Sequence, residues 1–299
     1  MLLRHIRYLL AVVEQGNFTR AAETLYVSQP TLSQQIRQLE ETLGAQLLDR
    51  SGRVVRATDA GDAYIAYARR ALRELEAGQR AIHDVRDLTR GTLRLAMTPS
   101  LTSYLAGPLI ARFNASYPGI TLQVIEKTLD AIETALAADQ VDLGLAFSQV
   151  RSAEISSQPL FDEKLCAVVG LGHPLAQRPA ATGAAALAAS ELGRQSLALL
   201  SSDFATRTFV DAYLQQQDIA PRIAVEANTI SAIVEIVRRG GLVTILPEAI
   251  AREHPGLQEI QLAPALPHRT VSLLRRKDGY QSAAARAFAE LAGNLAAAE

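Results

Sequence analysis

Hydrogen-bonding side chains at helical spacing stand out near residue 30. Gln29, Ser33 and Gln34 place amide and hydroxyl groups on one short segment. Gln pairs with adenine N6 and N7 through two hydrogen bonds, Ser bonds several base edges, and the apolar atoms of Pro30 or Thr31 suit a thymine methyl group. Such side chains at the start of a helix are typical of contact with the DNA major groove. An ordinary solvated helix face has a similar composition, so the surrounding elements decide between a DNA-binding face and a solvated one.

The distribution of charge favours contact with phosphate. The chain has 30 Lys and Arg against 31 Asp and Glu, a net charge of −1, but residues 1–58 hold seven Arg against five acidic residues, or +2. A small basic segment on an acidic remainder favours a polyanion as partner. Arg53 is expected at the tip of a hairpin, within reach of phosphate or the minor groove. Arg37 suits a DNA contact or an ion pair with Glu41, four residues on.

Three short helices and a hairpin are predicted to position these side chains. A second helix begins at Phe18 after the cap Asn17, and a short turn joins it to a third helix that Ser28 caps and Gly44 ends. Two helices joined in this way form a helix-turn-helix, and residues 46–58 predict a β-hairpin wing. The buried stripes expected on the first and third helices are Ile6, Leu9, Leu10 and Val13, and Leu32, Ile36, Leu39 and Leu43.

Residues 59–90 predict one long helix after this head. Thr58 supplies a cap, and Asp59 places an acid in the first turn, where it suits the helix dipole. Small or apolar residues then recur at alternating spacings of four and three, as along a coiled-coil seam. The same stripe also suits a helix packed on its own domain, but its length favours a second copy of the chain. The predicted seam consists of Tyr64, Ala68, Ala71, Leu75, Gly78, Ile82 and Val85.

Residues 91–299 alternate strand-like and helix-like segments, which predicts parallel sheets covered by helices, arranged as two lobes with a cleft between them. A helix is expected near Ala184–Ala189. Hydroxyl and amide groups lie between several strands and the helices that follow, where free N–H groups bind anions. Each such residue alone is more often a plain helix cap, whereas their convergence favours a ligand site. The residues are Thr98, Pro99, Ser100, Thr128, Ser201, Ser202, Asn228 and Thr229.

Patterns for catalysis, metal binding and membrane insertion are missing from the sequence. Cys166 is the only cysteine among 299 residues and lies in an apolar run that predicts a buried strand. The five His show no metal spacing, and there is no phosphate-binding loop. No apolar run approaches ~18 residues, and the run Leu9–Val13 is too short for a signal peptide. We therefore expect a cytoplasmic protein that is not an enzyme and needs no cofactor or metal.

The segments Phe18–Ala22 and Val27–Glu40 resemble the DNA-binding head of LysR-type transcriptional regulators, and the similarity continues along the chain. The resemblance implies an α/β protein with an N-terminal winged helix-turn-helix, a long linker helix and a two-lobed effector domain like type 2 periplasmic binding proteins. It adds Thr19, Arg20, Ser28 and Arg50 as DNA contacts and Phe204 as an effector contact, while Arg50 also suits a structural salt bridge. The implied boundaries are 1–58, 59–90 and 91–299, with the lobes at about 91–161 plus 267–299 and about 162–266.

Membership would also imply partners: double-stranded operator DNA, further copies of the chain in homodimers and homotetramers, RNA polymerase, and a small-molecule effector. Within the family, residues 80–91, 204–207, 226–228 and 273–277 look most similar to activators of cyanate-degradation operons. An activator that responds to cyanate is therefore expected, and an organic or aromatic acid is the alternative effector. A solute-binding protein of the same two-lobed fold is the weaker alternative, because it needs an export signal and no DNA-binding head.

Overall fold

The computed structural model describes residues 3–84, 88, 90–177 and 186–296. The chain divides into two compact units, Met1–His83 and Asp84–Glu299. Within the described residues, no helix combines the length and apolar character needed to cross a bilayer.

The first unit opens with a three-helix head followed by a small hairpin. Local residues set its boundaries: the Asn17 side chain accepts from the N–H of Thr19 at 2.8 Å, Ser28 Oγ accepts from the N–H of Thr31 at 3.3 Å, and Gly44 takes a φ of +65°. These three predicted boundaries are confirmed. The elements are α1 (Leu3–Gln15), α2 (Phe18–Thr24), α3 (Gln29–Leu43) and the antiparallel strands β1 (Leu48–Asp49) and β2 (Arg56–Ala57).

The head encloses one apolar core. Leu32, Ile36 and Leu39 of α3 are buried in it, as predicted, and α1 contributes Leu9 and Val12. Ile6 of α1 is buried as well. One expectation is wrong at the edge of these stripes, since Leu43 is 39% exposed at the last turn of α3. Leu10 and Val13 of α1 are partly buried against the core.

A long helix, α4 (Asp59–Asp84), follows the wing. Thr58 Oγ1 accepts from the N–H of Gly61 at 3.0 Å and donates to the carbonyl of Gln46 at 2.7 Å, so one hydroxyl caps the helix and ties it to the chain before the wing. A Cβ on Gly61 would lie 2.0 Å from the carbonyl oxygen of Leu47, so only glycine allows this approach. Val85, the last residue of the predicted seam, lies outside the described residues.

The second unit contains two groups of strands, which we call lobe one and lobe two. Lobe one is a five-stranded sheet of order β4-β3-β5-β14-β6, in which β3 is parallel to β4 and β5 while β14 is antiparallel to β5 and β6. Its strands are β3 (Gly91–Met97), β4 (Ile120–Glu126), β5 (Leu143–Phe147), β6 (Ile155–Glu163) and β14 (Arg269–Arg276), and its helices are α5 (Pro99–Tyr104), α6 (Ala106–Ser116), α7 (Leu129–Ala137) and α12 (Ala283–Ala296).

Lobe two lies between β6 and β14 along the chain. Its strand β7 pairs antiparallel with β11 and β12, β9 pairs parallel with β10, and β8 pairs parallel with β13. The strands are β7 (Leu165–Gly170), β8 (Leu187–Ala188), β9 (Ser196–Leu200), β10 (Arg222–Ala227), β11 (Thr244–Pro247), β12 (Leu257–Ile260) and β13 (Leu262–Ala263). The helices are α8 (Ala189–Leu192), α9 (Ala205–Gln216), α10 (Ile230–Arg239) and α11 (Glu248–Glu253).

Two sequence expectations are corrected here. The sheet of lobe one is mixed instead of parallel, because β14 returns from lobe two and joins it in the antiparallel sense. In lobe two, strands β11, β7 and β12 form an antiparallel sheet, while β9 with β10 and β8 with β13 form parallel pairs. The helix expected near Ala184–Ala189 is also wrong where it is described: Leu187–Ala188 form a short strand, and the helix begins at Ala189. Residues 184 and 185 lie outside the described residues.

Candidate functional site

The face of α3 opposite its buried stripe carries the polar side chains singled out in the sequence. Gln29, Pro30, Thr31 and Gln34 are exposed, and Ser33 is half-buried. The N-terminal half of α3 therefore presents amide and hydroxyl groups to solvent, which is the arrangement a major groove requires.

Neighbouring elements fix the position of α3. His5 Nε2 of α1 lies 2.9 Å from Gln35 Oε1, a contact that the sequence analysis did not predict. Ser28 Oγ also bonds Thr31 Oγ1 at 2.8 Å, so the Ser28 hydroxyl is engaged in capping. Thr19 and Arg20 lie exposed on α2.

The arginines of the head divide into a paired one and exposed ones. Arg50 NH2 lies 2.7 Å from Glu40 Oε2, while Glu40 Oε1 accepts from the N–H groups of Leu47 and Leu48. This matches the structural alternative for Arg50, since Glu40 ties the wing to α3. Arg53 lies exposed in the turn between β1 and β2. Arg37 is exposed and, among the described residues, forms no ion pair with Glu41.

Apolar side chains are uncovered along one side of α4. Tyr67, Leu75 and Ile82 are 70%, 49% and 72% exposed. Ala68 of the predicted seam is buried, while Ala71 and Gly78 are exposed. The second half of the predicted seam is therefore available to a partner.

A cavity of about 250 Å³ in the second unit collects most of the predicted effector residues. Thr98, Pro99, Ser100 and Thr128 line it from lobe one, and Phe204 and Asn228 line it from lobe two. Its other lining residues are Glu126, Lys127, Leu129, Asp203, Ala205 and Thr206.

Three predicted residues are not among those lining the cavity. Ser201 Oγ donates to the Asp203 carboxylate, and Thr229 Oγ1 accepts from the N–H of Ala232 at 3.3 Å as a plain helix cap. Ser202 lies exposed in the turn before α9.

Two hydroxyl groups in the cavity take no part in helix capping. Thr98 and Thr128 stand at the N-caps of α5 and α7, yet neither side chain bonds its own helix. Thr98 is buried, and its Oγ1 has no hydrogen-bond partner among the described residues. A buried hydroxyl without a partner is unusual in a native protein and costs ~1–3 kcal/mol, so it calls for an explanation.

A buried charged cluster, which the sequence did not reveal, lies beside this cavity. Arg269 Nε donates to Glu163 Oε2, and Tyr104 Oη donates to Glu163 Oε1 at 2.6 Å. Arg269 NH1 donates to Thr206 Oγ1 at 3.0 Å, and its guanidinium lies 3.8 Å from the ring centroid of Phe147. Burial lowers the pKa of Arg269, while the Glu163 carboxylate opposes that shift. A buried arginine requires a buried partner, but β14 also carries Thr270, Ser272, Arg275 and Arg276, so the local sequence did not single out Arg269.

Cys166 behaves as a packing residue. It is 1% exposed, and burial with the nearby Glu259 and Glu248 raises the pKa of its thiol to about 12. A thiol in this state holds its proton at neutral pH and is a poor nucleophile. The described residues also bring no group of three His, Cys, Asp or Glu side chains together as a metal site.

Comparison with known proteins assigns both units. The family described as "Bacterial regulatory helix-turn-helix protein, lysR family" matches residues 3–62, and the "LysR substrate binding domain" matches residues 86–297. A probable RuBisCO transcriptional regulator of Synechocystis is 31% identical over 297 residues, covering 96% of this chain and 84% of that protein. A probable hydrogen peroxide-inducible genes activator of Mycobacterium leprae is 30% identical, covering 98% of this chain and 94% of its own length.

Solved structures give the same result for the fold. A full-length OxyR variant from Pseudomonas aeruginosa, in which aspartate replaces one cysteine, matches with a TM-score of 0.70 and 25% identity over 98% of both chains. Full-length CbnR, solved with its target DNA, matches with a TM-score of 0.57 and 26% identity over 99% of this chain and 100% of that one. With two family matches and relatives of this similarity along its length, the chain belongs to the LysR family of transcriptional regulators.

Proposed function

We propose that this LysR-family regulator binds operator DNA through α3 and the wing, assembles through α4, and changes transcription when a small anion occupies the cavity between its lobes. The observation that carries the effector part is the buried, unpartnered hydroxyl of Thr98 in a cavity lined from both lobes. The proposed division of the chain is 1–58 for DNA binding, 59–90 for linking and dimerisation, and 91–299 for effector binding.

The DNA-binding part is supported by the exposed polar face of α3 and by the basic head. Gln29 and Ser33 supply donors and acceptors for base edges, and Arg37 and Arg53 remain available for phosphate. CbnR, a relative of the same fold, was solved with its target DNA. Action on DNA also supports a cytoplasmic location, and the match to regulators supports a role without catalysis.

Assembly is supported by the uncovered stripe of α4. A helix that exposes Leu75 and Ile82 along one side requires a cover, and a second copy of the same helix supplies a matching stripe. The family resemblance completes the proposal. It implies homodimers, their pairing into homotetramers, and contact with RNA polymerase.

Cyanate is the first candidate effector, and a small organic acid is the second. The cavity of about 250 Å³ lies below the ~300–1,000 Å³ usual for drug-sized ligands, which supports a ligand of few heavy atoms. The cyanate assignment, like the activator role, rests on the resemblance in residues 80–91, 204–207, 226–228 and 273–277, part of which lies outside the described residues.

Peroxide sensing through a thiol is not favoured, although one relative is named for hydrogen peroxide. Oxidation of cysteine begins from an accessible thiolate. Cys166 is buried and protonated, and it is the only cysteine in the chain.

DNA binding is tested by a gel shift with the region upstream of the protein's own gene, against random DNA of equal length. Specific retardation that weakens as salt rises is expected, because Arg–phosphate contacts release counterions. Equal affinity for the two DNAs would contradict the proposal that the upstream region contains an operator of this regulator.

The effector site is tested by titrating cyanate, and then benzoate, while following thermal stability and operator bending. Ser100→Ala should weaken binding about tenfold or more with DNA binding intact, since a hydrogen bond to a charged group contributes ~1.5–3 kcal/mol. Ser202→Ala, outside the cavity, serves as the matched control. A response to benzoate alone would overturn the cyanate assignment but would not affect the assignment of the protein as a regulator.

A further inference from the structure

The turn between α2 and α3 holds a tyrosine in a backbone conformation that suits glycine. Tyr26 takes a φ of +55°, which lies in the left-handed region. Its N–H donates to the carbonyl of Glu23 at 3.2 Å, and the N–H of Val27 donates to the carbonyl of Ala22 at 3.0 Å. These two bonds end α2 in a Schellman motif, whose left-handed position is usually glycine and sometimes asparagine. A side chain as bulky as tyrosine is strained at that position.

The end of α3 provides an internal comparison. Gly44 takes a φ of +65°, its N–H donates to the carbonyl of Glu41, and the N–H of Ala45 donates to the carbonyl of Glu40. The two helices therefore end in the same motif, with tyrosine at the left-handed position of α2 and glycine at that of α3. Glycine adopts this conformation without strain, so the backbone of the head does not account for the tyrosine.

The packing of the head does not account for the tyrosine either. The side chain of Tyr26 is 97% exposed, whereas its neighbour Val27 packs against the apolar core. Burial of the Tyr26 ring therefore offsets none of the strain. Strained residues persist where another contact compensates for them, and they cluster at binding and active sites. The contact that compensates for the strain of Tyr26 therefore lies outside the head.

Tyr26 lies beside the N-terminus of the proposed reading helix. Ser28 caps α3, and Gln29 and Pro30 follow in its first turn, all of them exposed. Consecutive Cα atoms are about 3.8 Å apart, so Tyr26 lies within about 8 Å of that cap. A helix with its side chains is about 10–12 Å wide and fills a major groove of about 12 Å. Residues just before its first turn therefore lie next to the phosphates that flank the groove.

The chemistry of a phenol suits a phosphate oxygen at this place. Tyrosine is among the side chains that bond phosphate oxygens and thereby fix the register of a protein on the duplex. Its hydroxyl is an uncharged donor, so it bonds a phosphate without neutralising it and, unlike arginine, releases no counterion. The contact would therefore add affinity that depends neither on the base sequence nor on the salt concentration.

We infer that Tyr26 is a contact residue for the DNA backbone: its hydroxyl donates to a phosphate beside the major groove, and the left-handed turn directs the ring away from the head toward that phosphate. The contact adds affinity for double-stranded DNA of any sequence, while the polar face of α3 supplies the discrimination between bases. The inference rests on the proposed function and adds to it a residue that the sequence pattern did not single out.

Tyr26→Phe in the full-length protein is the decisive variant, because it removes the hydroxyl and keeps the ring and the backbone. Gel shifts should give a Kd about tenfold higher for operator and random DNA alike, since a hydrogen bond to a charged group is lost and no base is read. Tyr8→Phe removes the same hydroxyl from α1 and should leave the Kd unchanged. An unchanged Kd in Tyr26→Phe, an equal loss in Tyr8→Phe, or a loss confined to the operator would overturn the inference.

The salt dependence of binding separates this contact from those of the arginines. The slope of log K against log salt concentration should be the same for Tyr26→Phe and the wild type, whereas Arg53→Gln should reduce it by about 0.9 because one counterion fewer is released. A reduced slope in Tyr26→Phe would overturn the role of a neutral donor.

Two further variants separate the contact from the stability of the fold. Tyr26→Asn and Tyr26→Ala both remove the phenol, but asparagine tolerates the left-handed region and alanine does not. Both should weaken DNA binding about tenfold or more, while the Tm of Tyr26→Asn should equal or exceed that of the wild type and exceed that of Tyr26→Ala. A Tm of Tyr26→Asn below the wild-type value would show that the ring stabilises the head and would overturn the inference.

The remaining outcomes distinguish the contact from the proposed function. Wild-type DNA binding with reduced transcription by RNA polymerase in Tyr26→Phe would assign the ring to a protein partner and overturn the DNA contact. Wild-type binding by Tyr26→Phe, with Gln29→Ala still impaired in base discrimination, would overturn the contact and preserve the proposed reading helix. Failure of the wild type to bind any DNA would overturn both.

Discussion

The head and the effector domain each contain an Arg–Glu pair, and the two pairs differ in their surroundings. Arg50, paired with Glu40 in the head, keeps 30% of its side chain exposed. Arg269 and Glu163 of the effector domain are 2% and 4% exposed. The remaining donors of Arg50 lie near solvent, while the NH2 group of Arg269 is buried and has no hydrogen-bond partner among the described residues. The same two residue types therefore form a partly exposed ion pair in the head and a fully buried one in the effector domain.

The two regions also present their candidate binding groups differently. The head places Gln29 and Gln34 on an open helix face, where water satisfies them until DNA arrives. The effector domain encloses Thr98, so its unsatisfied hydroxyl belongs to the folded state itself. Substitutions in the head should consequently change binding alone, and those in the effector domain should change stability and binding together.

The largest difference is expected between Arg269→Met and Arg50→Met. The first leaves Glu163 as a buried, unpaired carboxylate and should lower the free energy of unfolding by ~3–5 kcal/mol. The second affects a partly exposed pair and should cost about 1 kcal/mol or less. Urea unfolding of the full chain, followed by circular dichroism, measures both. Equal losses would show that burial does not distinguish the pairs.

The next largest effect is expected on assembly. The exposed apolar stripe of α4 is a third kind of binding surface, beside the open face of α3 and the enclosed cavity. Leu75→Glu or Ile82→Glu should place an unpaired charge in the contact between copies and give smaller species in sedimentation. Ala66→Glu, on the opposite side of the helix from Leu75 at about 100° per residue, is the matched control. Unchanged assembly in both seam variants would mean that α4 packs within its own chain.

Base recognition by α3 should give a smaller effect without a loss of stability. Gln29→Ala or Ser33→Ala should lose ~1–3 kcal/mol of discrimination at one base pair. Affinity for random DNA and the urea midpoint should stay at the wild-type values, since neither side chain belongs to the core. Gel shifts on operator and single-base variants provide the measurement. Wild-type discrimination would exclude α3 as the reading helix.

The smallest effect is expected at Cys166. Hydrogen peroxide should not change operator binding by either the wild type or Cys166→Ala. The reason is that the buried thiol, with its pKa of about 12, is a poor nucleophile. Alkylation of the thiol by iodoacetamide should be slow in the native protein and fast in urea. A peroxide response that Cys166→Ala abolishes would contradict the burial of this thiol.

Local signals predicted the head well because each acts within a few residues. Asn17 bonds N–H groups two and three residues on, and Gly44 ends α3 through its own φ. The helices α9 and α10 carry signals of the same local kind, since each follows a polar turn and has a buried apolar stripe.

Such local signals could not predict which distant strands and side chains pair with each other. Strand β6 mixes polar residues with Pro159 and has no alternation strong enough to reveal it, yet it pairs along nearly all of β14. Glu163 and Arg269 are 106 residues apart, so no spacing rule connects them. The cavity residues that were missed, among them Lys127 and Thr206, belong to the same class: the fold, not the local sequence, brings them together.

In the ladder between β6 and β14, Arg269 stands directly opposite Glu163, on the last rung before both strands leave for lobe two. The chain passes between the lobes beside these two residues, so the ion pair ties the outgoing segment to the returning one at the crossing. A substitution that breaks the pair would therefore loosen both crossings at once.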